Sequence, residues 1–222
     1  MNNLLFTKVV KPPYVRARRA LEYALFDRRF DVDTDGFVTL AELGVAEADC
    51  NDYKPAKYLS LRRILPPREV TDEDVFIDFG SGKGRVVLQA AFSYPFRRVH
   101  GVELAEELHR IALHNVEVNR DRLRCRDVRL TLSDVLDYEI PDDVTVAFFY
   151  NPFGGEVFET VIRRLLDSVD RHPRPLRVVY GNPREEEMLL RTGRFRQIRA
   201  LRGWRPGRDW SRSNSYRLYA VT

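Results

Sequence analysis

Apolar and polar positions along the chain alternate between two periods. Short apolar or alternating runs at residues 75–79, 98–103, 127–132, 144–150 and 176–180 read as buried strands. Between them the spacing changes to that of helices. Leu108, Ile111, Ala112 and Val116 line one face of residues 104–119, and Phe158, Val161, Ile162, Leu165 and Leu166 one face of residues 157–169. Residues 85–92 and 184–191 supply two further helices. Strands alternating with helices predict a parallel sheet covered on both faces. The last part breaks that rhythm. Residues 195–201 and 215–221 are two strands joined through Trp204, Pro206 and Trp210 without a helix, which implies an antiparallel pair. The expected fold is therefore α/β, a seven-stranded, mostly parallel, doubly wound sheet closed by an antiparallel C-terminal hairpin.

The N-terminal part is different in character. Lys11-Pro-Pro-Tyr14 reads as a turn or extended entry. Residues 16–30 carry Ala20, Leu21, Ala24 and Leu25 at helical spacing, an amphipathic helix with a basic face. Leu59, Leu61, Ile64 and Leu65 predict a helix entered through Pro55 and ended by Pro66-Pro67. The expected organisation is a helical extension or lid over residues 1–65, with the α/β domain in residues 66–222. No internal repeat or low-complexity segment interrupts it.

The chemistry concentrates where the first strand ends. Asp78, Gly80, Gly82 and Gly84 spell D-x-G-x-G-x-G between a strand and a helix. Glycine lets the backbone turn tightly and approach a ligand, and the following helix offers unpaired N–H groups. A dinucleotide fingerprint would place its third glycine one residue later. A P-loop would need a glycine where Ile77 stands, and Ser or Thr where Gly84 follows Lys83. A carboxylate at Asp78 would repel a pyrophosphate but favour a cationic amino group. Glu103 closes the second strand, 25 residues after Asp78, where an acid in such sheets meets ribose hydroxyls. Asp134, with Asp137 as its competitor, follows the third strand, and the fourth empties into Tyr150-Asn-Pro-Phe153.

In this order the motifs resemble those of the class I S-adenosylmethionine-dependent methyltransferases, over roughly residues 53–222. The resemblance implies S-adenosyl-L-methionine as cofactor. Asp78, Phe79, Gly80, Ser81 and Gly82 would hold its methionine end, Glu103 and Leu104 its ribose, and Asp134 and Val135 its adenine. Tyr150, Asn151, Pro152 and Phe153 would shape the transfer site, as in members that methylate nitrogen, although the usual motif of that type carries two prolines and this chain has only Pro152 there, a departure that speaks against adenine as acceptor. Tyr53 and Tyr58 fall in a segment that resembles the lid small methyltransferases lay over the cofactor. The spelling Asp78-Phe-Gly-Ser-Gly-Lys-Gly-Arg-Val-Val-Leu-Gln-Ala90 is similar to the lysine methyltransferases that act on histones outside the SET fold, and to their bacterial relatives. A protein lysine is the acceptor this implies first.

A second motif competes for attention. Asp31, Asp33, Asp35, Gly36 and Glu42 fit the spacing of an EF-hand loop, and the chain has only one such loop. Calcium binding and a turn capped by aspartates both stay open, and the site set named above contains no metal ligand. The formal charge of +4 is unevenly spread. Residues 171–222 hold 13 arginines against Glu185, Glu186, Glu187 and Asp209, while the remaining 170 residues hold 24 basic against 29 acidic side chains. That surplus suits an acidic protein, a nucleic acid or a solvated face. A nucleic-acid methyltransferase and a non-catalytic cofactor- or calcium-binding module are the rival readings, with a protein or small-molecule acceptor preferred to nucleic acid. Two unclustered cysteines, no membrane-length apolar run and too short an N-terminal apolar core for a secretory signal lead one to expect a cytoplasmic protein.

Overall fold

The apolar runs assemble into one seven-stranded sheet, in the order β3-β2-β1-β4-β5-β7-β6. Its strands are β1 Val75–Phe79, β2 Arg98–Glu103, β3 Val128–Leu132, β4 Val146–Phe149, β5 Arg177–Gly181, β6 Phe195–Leu201 and β7 Tyr216–Val221. The computed structural model describes residues 11–45, 49–203, 212 and 214–222. β1 to β5 run parallel, and β7 inserts between β5 and β6 antiparallel to both. The connection through Trp204, Pro206 and Trp210 lies outside the described residues. The expected fold class is the one observed.

Alternation along each strand builds two cores. Val75, Ile77 and Phe79 of β1 face one side and Phe76 the other. Helix α6 (Gly155–Arg171) covers the first side with Phe158, Val161, Ile162 and Leu165, the face its spacing predicts, and α7 (Glu186–Arg191) adds Leu189. Helix α4 (Arg85–Ser93) packs Val86, Val87, Leu88, Ala90 and Ala91 on the other side. Helix α5 (Glu106–Glu117) buries Leu108 and Ala112 beside β2 and β3. Each fully buried Leu or Phe contributes about 1.5–3 kcal/mol relative to exposure.

The N-terminal segment departs from expectation in three ways. Helix α1 (Lys11–Glu22) already begins at Lys11, with Pro12 and Pro13 in its first turn, where a missing N–H costs no hydrogen bond. It buries no residue of its own: Leu21 and Leu25 are 59% and 42% exposed, and packing falls instead on Phe26 and Asp27. A π-helical turn, Tyr23–Asp27, precedes the short α2 (Arg28–Phe30) and adds a residue to the turn, which re-aims the apolar face. Third, helix α3 is confined to Ser60–Ile64, because residues 55–58 form no helix and Leu59 adopts φ 66°. Phe26, Val32, Ala56, Leu61 and Ile64 then join the core under α4.

The acid-rich loop after α2 does not gather its carboxylates. Asp31 ends α2 at φ 53°, Asp33 is held by Lys83 at 2.8 Å, and Asp35 faces Arg19 at 3.2 Å. Glu42 accepts from the backbone N–H and hydroxyl of Thr39. No cluster of three or more His, Cys, Asp or Glu suited to a metal occurs among the described residues. The spacing of an EF-hand is present, but Asp33, Asp35 and Glu42 are each committed to a different partner.

Candidate active site

Strand β1 ends at Phe79, and the chain turns through Gly80, Gly82 and Gly84 at φ 71°, 54° and 81°. The N–H groups of Gly80 and Ser81 both donate to the Val102 carbonyl at 2.9 Å, tying the turn to the end of β2. Two of these glycines are required by contact as well as by φ. A Cβ on Gly80 would lie 2.3 Å from Cβ of Pro152, and one on Gly82 would lie 2.2 Å from the Tyr53 ring. Gly82 N–H donates to Glu103 Oε2 at 2.7 Å, while Ala105 N–H donates to Oε1 at 2.9 Å. Glu103 thus joins the glycine turn to the head of α5.

Two carboxylates are buried here without a cation. Asp78 is 3% and Glu103 8% exposed, and neither has an ion-pair partner among the described residues. Burial, and for Asp78 also the neighbouring Glu103, pushes the Asp78 carboxyl well above the usual carboxylate range. Burial raises Glu103 too, opposed by the N–H donors of Ala105, Gly82 and Leu104. The Ser81 hydroxyl is buried with no hydrogen-bond partner. An unsatisfied hydroxyl and two uncompensated acids around a glycine turn suit a ligand that brings its own donors and a positive charge.

The turn is braced from behind by the N-terminal segment. Arg85, at the start of α4, pairs with Asp27 at 2.7 Å and donates to Thr34 Oγ1 at 2.7 Å; both charged side chains are almost wholly buried. Asp27 in turn accepts from the N–H and hydroxyl of Thr34. Lys83 binds Asp33 and the Asp35 carbonyl, and Asn115 bonds both Asp33 and the Lys83 carbonyl. Lys83 is therefore drawn away from the ligand side of the turn.

A cavity of about 570 Å³ opens at the carboxyl ends of the strands, on both sides of the β1/β4 junction where the strand order reverses. Ligands bind at this switch point in doubly wound sheets, and the volume is ordinary for a small-molecule site, about 300–1,000 Å³. Of the expected residues, Asp78, Gly80, Ser81, Glu103, Leu104, Asp134, Val135, Tyr150, Asn151, Pro152 and Phe153 all line it. Phe79 does not: it stacks on Phe149 behind the wall, with ring centroids 4.9 Å apart. Gly82 contributes through its bond to Glu103. Asp134 is the acid at the cavity, its Oδ1 accepting from Leu136 N–H, and the competing Asp137 is exposed outside it.

Residues 49–56 roof the cavity. Asn51 N–H donates to the Pro152 carbonyl at 2.9 Å, Gly154 N–H to the Asp49 carbonyl at 2.8 Å, and Cys50 bridges to Phe153. Tyr53 hangs from this roof with its hydroxyl on the Thr34 carbonyl at 2.7 Å, whereas Tyr58 packs against Phe26. Asn151 is 7% exposed, sits at φ 52°, and its amide makes no hydrogen bond among the described residues. Tyr150 stacks with Tyr216, and burial lifts its hydroxyl to about 12, so it stays protonated at neutral pH. Sequence reasoning missed Lys54, Asn182 and Arg184, which also line the cavity. Asn182-Pro183 repeats after β5 the Asn151-Pro152 spelling after β4, with φ 51° at Asn182, a signal that was legible.

Comparison with known proteins points the same way. Residues 53–136 match the family described as histone methylation protein DOT1. The fold is that of the class I methyltransferases. Over 67 residues the chain is 36% identical to a protein-lysine N-methyltransferase of Saccharolobus islandicus, covering 30% of this chain and 42% of that protein. Over 127 residues it is 42% identical to a histone-lysine N-methyltransferase, H3 lysine-79 specific, of Drosophila melanogaster, covering 53% of this chain and 7% of that one. The chain spans less than half the length of either relative. The structure of precorrin 8W decarboxylase from Methanobacterium thermoautotrophicum superposes with a TM-score of 0.55 at 22% identity, over 77% of this chain and 92% of that one. That likeness is one of fold. Among the described residues no helix is long and apolar enough to cross a membrane.

Proposed function

We propose that this protein is an S-adenosylmethionine-dependent methyltransferase that methylates nitrogen, with a protein lysine as acceptor. The observation that carries the reading is the pair of buried, uncompensated carboxylates, Asp78 and Glu103, around the glycine turn. Asp78 would receive the cofactor's ammonium, with Gly80 and Gly82 giving its methionine end room and the unpartnered Ser81 hydroxyl a donor. Glu103 would accept from the ribose hydroxyls, and Asp134 from the adenine amine beside Val135 and Leu104. In this reading the domain is residues 66–222 and residues 1–65 are its extension, whose described residues brace and roof it.

When bound, the cofactor supplies a methyl group already activated by positive sulfur. The work left to the chain is positioning and exclusion of water. The Asn151 amide and the Tyr150 carbonyl hold the attacking amine by its hydrogens, directing its lone pair along the line of displacement. Pro152 and Phe153 fix that turn against the roof, and residues 49–56 keep solvent out. No strong general base is required, in keeping with the protonated Tyr150. The lysine assignment draws on the two lysine-directed relatives and the glycine-turn spelling. The test is mass spectrometry of lysine-containing proteins incubated with enzyme and S-adenosylmethionine. Methyl increments on lysine that fall at least tenfold in Asn151→Ala, with cofactor affinity unchanged, are expected. Methylation on carbon or oxygen instead would overturn the acceptor assignment.

A further inference from the structure

Two of the charged side chains that line the cavity are spent elsewhere, Arg85 on Asp27 and Asp52 on the N–H of Leu40; the remaining ones fall into two groups. Asp78, Glu103 and Asp134 stand at the ends of β1, β2 and beyond β3, on one side of the switch point. Lys54, Arg184 and Arg212 line the same cavity, and Arg184 follows β5 on the other side. The acidic half matches a cationic cofactor. The basic half surrounds the place where an acceptor would enter, next to Asn151 and Asn182.

We propose that the acceptor lysine is one set in an acidic stretch of polypeptide, whose flanking carboxylates dock on Lys54 and Arg184. This rests on the lysine reading above. Neither cation has an acidic partner among the described residues, so both are available at the mouth. Partial desolvation holds the Lys54 ammonium below the usual range, and repulsion from Arg18, Lys11 and Arg184 adds to it. An anionic partner would relieve that repulsion. A basic peptide, such as a lysine between arginines, would add to it. The side-chain amide of Asn182, a cavity-lining residue at positive φ, makes no hydrogen bond among the described residues and is placed to receive the peptide backbone beside the acceptor.

A nucleic acid fits less well, although the last 52 residues are rich in arginine. Arg171, Arg177, Arg194, Arg199 and Arg217 are ion-paired with Asp142, Asp74, Asp170, Glu69 and Glu186. Arg174 is spent on the carbonyls of Val144, Ser168 and His172. A phosphodiester backbone needs a row of free cations, and six of these 13 arginines are already committed.

The experiment uses the full chain with two peptides of equal length. In one a central lysine is flanked by Asp and Glu, in the other by Arg, and an RNA oligonucleotide is the third substrate. Methyl transfer and peptide binding to the S-adenosylhomocysteine complex are measured for wild type and for K54E/R184E. The proposal expects wild type to favour the acidic peptide by at least about tenfold in kcat/KM, and the double variant to reverse that order. Equal use of both peptides, or preference for the basic one, overturns it while leaving the lysine reading intact. Transfer only to RNA, or neither transfer to nor binding of any peptide by a protein that binds cofactor, overturns both. Weakened binding of S-adenosylmethionine but not of its decarboxylated analogue in K54E would assign Lys54 to the cofactor's carboxylate and also overturn it.

Discussion

Replacing Gly82 by alanine separates two costs that the structure lets one count. At φ 54° an L residue is strained by about 1–2 kcal/mol. The added methyl would also lie 2.2 Å from Cε2 and 2.6 Å from Cδ2 of Tyr53, whose ring cannot swing away without losing its bond to the Thr34 carbonyl. Overpacking of this kind costs about 1–3 kcal/mol more. Gly193→Ala is the reference, because its φ of 71° imposes the same backbone strain while nothing lies within 4 Å of the new methyl. Urea unfolding should then show Gly193→Ala destabilised by about 1–2 kcal/mol and Gly82→Ala by about 2–5 kcal/mol. Tyr53→Leu in the Gly82→Ala background should return part of the difference, a coupling of at least about 0.5 kcal/mol. Cofactor titration should show Gly82→Ala impaired and Gly193→Ala normal. Equal destabilisation by the two alanines would refute the claim that the roof and the glycine turn are packed as one unit.

Four further outcomes follow from buried charges and their partners. Asp27→Asn leaves the Arg85 charge buried opposite a neutral amide, so it should cost about 3–5 kcal/mol by denaturant unfolding. Asp33→Asn, whose side chain is 63% exposed, should cost less than about 1 kcal/mol in the same assay. Burial holds His100 near 4 in the folded state against about 6.5 unfolded, so its contribution is complete above 6.5 and lost as pH falls toward 4. Wild type should lose roughly 2 kcal/mol more than His100→Gln over that window, read as the difference between their unfolding free energies. Asp78 and Glu103 titrate above the usual carboxylate range without ligand, and a cationic cofactor favours their ionised forms. Cofactor affinity should therefore rise with pH just above that range, with proton release visible as buffer-dependent heat; affinity independent of pH would contradict it.

The core was legible because burial and periodicity report the same physics. Leu108 and Ala112, Phe158 to Leu165 and the alternation through Val75–Phe79 point inward as their spacing requires. The glycine turn was legible for a similar reason: few ligands tolerate that spelling beside an acid, and Asp78, Glu103 and Asp134 all reach one cavity. What escaped was set by distant partners. Nothing local in Asp27 announces Arg85, 58 residues away, and a lone Lys54 looks like any solvated lysine until the roof brings it over the cavity. The calcium-loop spelling left two readings open, since spacing cannot reveal that Asp33 is taken by Lys83. After α1 the π turn defeated the simple count, moving the buried face from Leu21 and Leu25 to Phe26 and Asp27.

The most direct test of the central claim is isothermal titration of S-adenosylmethionine into the wild type and into Glu103→Ala. The account predicts wild-type binding in the micromolar range, about −8 kcal/mol, and at least tenfold weaker binding when the carboxylate that joins Gly82 to Ala105 is removed. A folded wild type that binds no S-adenosylmethionine, or a Glu103→Ala variant that binds it equally well, would contradict it.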